Sequence, residues 1–280
     1  MKTILCAVDY SENSITALKF AYALSKKIKA NLFVFHVYNY PSLGSNLNEP
    51  YLLFGKELFE SCKIKLKEFC ESNLKIDLKK ENITIDVVEN NSVTNEILTK
   101  SEELNSYIIV AGMKGENILK GFIMGSTTLQ LIDKAPCPIF AIPNGFILKN
   151  IKTIVYASDF EEEDIAAIHK LTEIIKPFNS NIKVIHISIK DEDEATLTME
   201  WFKELLKQKV NYEKIEFEVV YSENIFNSLK TYIKNTNTDL IAMMERKKTG
   251  FIRKIFREDL VKKMEIYGKV PLISFNEANY

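Results

Sequence analysis

Short apolar runs and longer amphipathic stretches alternate along this chain, and the whole alternation occurs twice. Thr3 to Val8 is brief, apolar and rich in branched residues, which predicts a strand. From Ser11 to Lys29, the apolar residues Ile15, Leu18, Tyr22, Ala23 and Ile28 predict a helix laid against a sheet. Leu32 to Val37 predicts a second strand, Tyr51 to Asn73 a long amphipathic helix, and Ile83 to Val88 a third strand. Ser92 to Glu103 predicts a helix opened by a capping hydroxyl. Tyr107 to Ala111 and Pro138 to Ile142 complete this set of strands, with a helix over Ser126 to Lys134 between them. Strands alternating with helices imply right-handed βαβ units and a parallel sheet. Strands buried on both faces of such a sheet are continuously apolar, as these are. In the second half Trp201, Phe202, Leu205 and Leu206 share a helical spacing that predicts core positions.

The second set of elements repeats the first. Thr3-Ile4-Leu5-Cys6-Ala7-Val8-Asp9 falls on Thr153-Ile154-Val155-Tyr156-Ala157-Ser158-Asp159 at an offset of 150. The same offset places Leu32 to Val37 on Ile182 to Ile187, so each copy has Asp after its first strand and His near the end of its second. Tyr107 to Val110 matches Leu240 to Met243 at an offset of 133, which continues to Pro138-Ile139-Phe140 on Pro271-Leu272-Ile273. The first copy therefore carries 150 − 133 = 17 additional residues, expected around Asn39 to Gly55. A repeat of this length predicts two copies of one fold. The domain expectation is 1–145 and 151–276, with the boundary in the turn-forming stretch that begins Pro143-Asn144-Gly145.

Composition narrows the function classes. The formal net charge is −1, with 17 basic and 16 acidic residues up to Asn150 and 20 and 22 after it. Neither half has the basic excess that bulk nucleic-acid binding needs. No apolar run approaches the ~20 residues of a membrane span, and the start of the chain lacks a signal-peptide pattern, so the expected location is cytoplasmic. Cys6, Cys62, Cys70 and Cys137 lack metal-ligand spacing and read as reduced thiols.

Candidate chemistry gathers where a doubly wound sheet binds ligands, outside the carboxyl ends of its strands. Asp9 follows the first strand and Val37 ends the second. After the fourth come Gly112-Met113-Lys114-Gly115, nine residues, and Gly125-Ser126-Thr127. Glycines let backbone amides approach phosphate oxygens, and the second cluster opens a helix whose N–H groups and dipole favour an anion. Ser126 and Thr127 are able to cap that helix and donate hydroxyls to phosphate, and Lys114 adds charge. The bland alternatives stay open: Gly112 ending a strand, Gly125 opening a turn, and Asp9 capping the first helix. His36 and His186 read as packed sheet-edge histidines, because sequence pattern places no nucleophile beside them.

Gly112, Gly115, Gly125 and Ser126 resemble the G-x2-G-x9-G-S/T spacing of the universal stress protein family, and the resemblance extends over both halves. It implies two tandem flavodoxin-like, or adenine-nucleotide-alpha-hydrolase-like, α/β domains, each a five-stranded parallel sheet with helices on both faces. It further implies ATP or a related adenine nucleotide across the carboxyl edge. Asp9 and Val37 would lie near adenine and ribose, and Gly112, Gly115, Gly125, Ser126 and Thr127 along the phosphates. A bridging magnesium ion is compatible, with Asp9 as candidate ligand. The family also pairs domains through the last strand, so Pro138 to Ile142 and Pro271 to Phe275 are expected to pair within the chain as a pseudo-dimer, with further homodimerisation open.

At the offset of 133, Gly112, Gly115, Gly125 and Ser126 become Glu245, Lys248, Glu258 and Asp259, so the second copy is expected to be degenerate. The resulting expectation is a stress or signalling regulator with an unidentified protein partner. Catalysis would be at most slow ATP hydrolysis, because neither a general base nor an arginine finger is evident. A nucleotide-free scaffold of the same fold is the alternative, and an enzyme acting on a nucleotide rests on fold analogy alone.

Overall fold

The protein is described here by a computed structural model covering residues 2–39, 50–113, 124–189, 192–246 and 270–280. The first half contains β1 (Thr3–Ala7), α1 (Glu12–Ile28), β2 (Asn31–Tyr38), α2 (Pro50–Leu74) and β3 (Ile83–Glu89). It continues with α3 (Val93–Glu103), β4 (Ile108–Gly112), α4 (Ser126–Lys134) and β5 (Ile139–Ile142). The second half contains β6 (Thr153–Ala157), α5 (Glu162–Ile175), β7 (Asn181–Ser188), α6 (Glu192–Lys209) and β8 (Ile215–Tyr221), then α7 (Ile225–Asn235), β9 (Leu240–Glu245) and β10 (Leu272–Asn276).

These strands form one sheet in the order β3-β2-β1-β4-β5-β10-β9-β6-β7-β8. Every pairing is parallel except that of β5 with β10, where Ala141, Phe140 and Ile139 face Leu272, Ile273 and Ser274 in antiparallel register. The expected pairing of the two last strands is thus present, and it fuses two five-stranded sheets into one.

Period-2 alternation sends successive strand residues into two separate core layers. Ile4, Cys6, Ile154 and Tyr156 join one layer with α1, α2, α5 and α6 through residues such as Leu18, Leu66, Ile168 and Phe202. Leu5 and Val155 face the other layer with α3, α4 and α7, through Ile97, Leu131 and Leu229. The face of α1 differs in detail from the expectation. Ala17, Leu18, Phe20, Ala21, Leu24 and Ile28 are buried, whereas Ile15, Tyr22 and Ala23 sit at the margins. Ser11 caps α1 by accepting from Ser14 N, and Lys29 ends it in the left-handed region with φ 54°.

Strand register corrects the repeat alignment. Ile4 pairs with Ile108 and its counterpart Ile154 with Leu240, so β4 and β9 correspond at an offset of 132. The same offset already holds at β3, where Leu32 pairs with Ile83 and Ile182 with Ile215. Ile109 then pairs with Ile139 and its counterpart Ile241 with Leu272, restoring 133 at β5 and β10. The first half therefore carries 150 − 132 = 18 additional residues between β2 and β3, and the second half one additional residue between β4 and β5's counterparts. Similar apolar residues at both registers make the slip invisible in sequence, yet it matters because one residue exchanges the faces of a strand.

Trp201 departs from its expected core position: it is 49% exposed on α6, while Phe202 is fully buried and Leu206 nearly so. Phe202→Ala should lower the unfolding free energy by about 3–5 kcal/mol, and Trp201→Ala by less than about 0.5 kcal/mol. Urea titrations followed by far-ultraviolet circular dichroism check both values.

Candidate functional site

Strand order reverses between β1 and β4, whose chain connections leave towards opposite edges of the sheet. A cavity of about 500 Å³ opens at that point, at the carboxyl ends of β1, β2 and β4. Asp9, Val37, Gly112, Gly125, Ser126 and Thr127 all line it. Lys114 and Gly115 lie outside the described residues.

Each lining group has a local reason for its place. Asp9 is exposed, and its Oδ1 accepts from Ser11 N at 3.0 Å and Ser11 Oγ at 2.5 Å, so it supports the start of α1. Ser11, and not Asp9, is the cap of the helix. Gly125 is the cap residue of α4, which corrects the capping role expected of Ser126 and Thr127. These two are the first helical residues, and among the described residues no side-chain hydrogen bond caps the helix. The first turn of α4, with the positive end of its helix dipole, thus borders the cavity on this side. Thr128 Oγ1 donates to the Gly112 carbonyl at 3.1 Å and ties α4 to the end of β4.

Gly112 is required by packing as well as by any ligand. A Cβ there would stand 2.7 Å from the Asn13 carbonyl oxygen, because the start of α1 crosses closely over the end of β4. The apolar wall was missed from sequence: Phe35, Val93, Ile97 and Leu131 join Val37 in lining the cavity. A signal for it existed, since Phe35 and Val37 share one face of β2 and Val93 and Ile97 are one turn apart on α3.

His36 is a structural group. Its Nδ1 lies 2.8 Å from the Val8 carbonyl, and its ring packs on Tyr10 at 4.3 Å between centroids. Burial lowers its pKa against the opposing pull of that carbonyl, which favours the neutral ring. His186 repeats the contact on the Ser158 carbonyl, also at 2.8 Å.

A model of the Universal stress protein family matches residues 1–143 of this chain. The chain belongs to the universal stress protein family. A universal stress protein from Archaeoglobus fulgidus DSM 4304 superposes with a TM-score of 0.70 and 17% identity, over 98% of each chain. A protein described as a candidate universal stress protein from Pseudomonas aeruginosa UCBPP-PA14 gives 0.63 and 12%, covering 99% of this chain and 93% of its own. The cytoplasmic domain of a prokaryotic cation chloride cotransporter shares the fold, at a TM-score of 0.56 and 11% identity over 100% and 96% of the two chains. Among curated proteins no sequence matches this chain. Among the described residues, no helix is long and apolar enough to cross a membrane.

This universal stress protein has a second cavity at the corresponding place in its second half, and it is nearly closed, at about 30 Å³. Its lining follows the first position by position: Ala157, Ser158, Asp159, Ile185, Ile187 and Ile225 stand for Ala7, Val8, Asp9, Phe35, Val37 and Val93. The corrected register puts Met244 in place of Gly112, and Glu245 one residue further on, so the expected Gly112-to-Glu245 exchange is replaced by Gly112-to-Met244. The expected counterparts Lys248, Glu258 and Asp259 lie outside the described residues.

Two further exchanges close the space. Asp164 takes the position of Ser14, and Arg246, the counterpart of Lys114 by residue count, enters the core at 5% exposure. Arg246 Nη2 donates to Asp164 Oδ2 at 2.9 Å, and its Nε lies 3.0 Å from Glu161 and 3.8 Å from Asp159. Asp164 also accepts from Tyr156 Oη and Ser158 Oγ, both at 2.7 Å. Burial raises the Asp164 carboxyl above its ordinary range, opposed by Arg246 and the two hydroxyls. Burial also works against the Arg246 charge, but the three carboxylates outweigh it and hold the guanidinium protonated. Three carboxyl groups thus surround one guanidinium at positions where the first half has Asp9, Ser11 and Ser14, so this side of the second cavity is the more acidic. That arrangement repels a phosphate.

Gly112→Ala should destabilise the protein by about 1–3 kcal/mol as the start of α1 is pushed from β4, measured by urea unfolding. Arg246→Met leaves Asp164 buried without its cation and should cost about 3–5 kcal/mol. Adding Asp164→Ser, the residue of the first half, should recover part of that loss. A double variant whose loss equals the sum of the Arg246→Met and Asp164→Ser single-variant losses would show that the pair is not coupled.

Proposed function

We propose that the first half of this universal stress protein binds ATP or a related adenine nucleotide, and that occupancy biases contacts with a protein partner. The carrying observation is the contrast between two equivalent positions of one fold, about 500 Å³ and open in the first half against about 30 Å³ and acidic in the second. The larger volume falls within the roughly 300–1,000 Å³ of small-molecule sites. Phe35, Val37, Val93 and Ile97 offer an apolar slot for a flat base. The exposed carboxylate of Asp9 suits a ribose hydroxyl or a magnesium ion shared with phosphate. The open first turn of α4 at Gly125, Ser126 and Thr127, with Gly112, Lys114 and Gly115, suits the phosphates. In this reading residues 1–145 are the ligand-binding domain, and residues 151–276 are a degenerate copy kept for structure or regulation.

Calorimetric titration of nucleotide-stripped protein with ATP and with AMP, in the presence of magnesium, tests the proposal. One site per chain is expected, weakened about tenfold or more in Gly115→Lys and Gly125→Glu, which introduce side chains into the phosphate approach. Absence of binding by either nucleotide would remove the ligand and leave a scaffold whose two halves act only through their surfaces.

A further inference from the structure

The amino end of the same sheet carries a different cleft, where the two halves meet. Lys2 precedes β1, Ser106 and Tyr107 precede β4, Lys170 lies on α5 of the second half, and Tyr280 follows β10. These residues line a cavity of about 560 Å³. Two ammonium groups converge there on one ring: Lys170 Nζ is 3.7 Å and Lys2 Nζ 4.3 Å from the Tyr107 centroid, and Lys2 Nζ also donates to Tyr107 Oη at 3.1 Å. Among the described residues, the side-chain carboxylate in contact with this group is Glu173, 3.9 Å from Lys170 Nζ and 3.4 Å from Tyr107 Oη. Among the described side chains, two ammonium groups thus face one carboxylate.

Ser106 adds an independent indication. Its residue is 7% exposed, it lines this cleft, and its buried hydroxyl has no hydrogen-bond partner among the described residues. A buried hydroxyl left without a partner costs about 1–3 kcal/mol, so such groups ordinarily have one. The second half shows the contrasting solution. The register makes Asp239 the counterpart of Tyr107, and its Oδ2 accepts from the backbone N–H groups of Lys152 and Thr153 at 2.7 and 2.9 Å. The second half therefore supplies its own carboxylate at the start of its first strand, whereas the first half supplies an aromatic ring flanked by two lysines.

We propose that this cleft is a second ligand site, which binds a small oxyanion, the phosphoryl or carboxylate group of a metabolite, through Lys2, Lys170 and the Ser106 hydroxyl. Tyr107 and Tyr280 flank it with aromatic surface suited to a short organic body. Because Lys2 and Ser106 belong to one half and Lys170 to the other, the bound anion bridges the halves. Its position at the amino edge separates it from the cavity at the carboxyl edge, so the two sites are independent in ligand and in residues.

The test uses the full chain carrying Gly125→Glu, which removes the helix-end phosphate position at the other edge from the readout. Inorganic phosphate and acetate are titrated separately, and backbone amide shifts of Lys2, Ser106, Tyr107 and Lys170 are followed by nuclear magnetic resonance. Saturable shifts at these residues are expected with at least one probe. Phosphate alone, acetate alone or both would each support the site and identify the group it prefers. Lys170→Gln should weaken binding about tenfold or more, and Ser106→Ala should weaken it measurably, with the fold intact by circular dichroism. Absence of saturable shifts with both probes would overturn the proposal, as would shifts that persist unchanged in both variants.

Discussion

The antiparallel pairing of β5 with β10 is the constraint on which the rest of the molecule depends. Each five-stranded half would otherwise end in a strand buried on both faces yet open along one edge, the arrangement most prone to unwanted association. Ile139 to Ile142 and Leu272 to Asn276 are all buried, and pairing them gives each open edge a partner within the same chain. The two core layers then run across the junction, with Phe140 and Phe275 in one and Ala141 and Leu272 in the other. The outer strands β3 and β8 can bear their edges, because residues such as Asp86, Glu216 and Glu218 give them polar, half-exposed character.

Fusing two copies back to back frees one from the demands of the other. Both need the same backbone contact after the first strand, the histidine on the carbonyl at Val8 or Ser158, because it anchors the turn into the first helix. They differ where that contact borders the cavity. The first half has small residues there, Gly112 and Ser14, and the start of α4 borders its cavity, with Gly125 as the cap residue. The second half fills the same volume with Met244, Asp164 and Arg246, whose charges answer one another. An ion pair buried in this way contributes little net stability compared with apolar residues of similar size, but it is costly to break. The second cavity is thus filled by its own side chains, while the first stays open.

The junction also creates surface that neither half has alone. Lys2 and Tyr107 meet Lys170 and Glu173 only because β5 and β10 bring the start of one half beside α5 of the other. Two positive side chains on one tyrosine ring are stabilised in part by cation–π attraction, which tolerates their mutual repulsion at a partly exposed site.

The alternation of apolar runs and amphipathic stretches determined the element order, the parallel sheet and the duplication, because burial on both faces writes itself directly into composition. It also determined six lining residues of the cavity, since Asp9, Val37, Gly112, Gly125, Ser126 and Thr127 sit at strand ends and helix starts whose positions follow from the pattern. Register did not follow from it. Leu240-Ile241-Ala242-Met243 is apolar at every position, so a match to Tyr107 or to Ile108 reads equally well until hydrogen bonding to β6 selects one. Only the tertiary structure decided that Met244 replaces Gly112, that Arg246 turns into the core, and that Trp201 faces solvent beside a buried Phe202. Those outcomes depend on which residues from distant segments reach the same point, and sequence spacing within one element carries no information about its partners across the sheet.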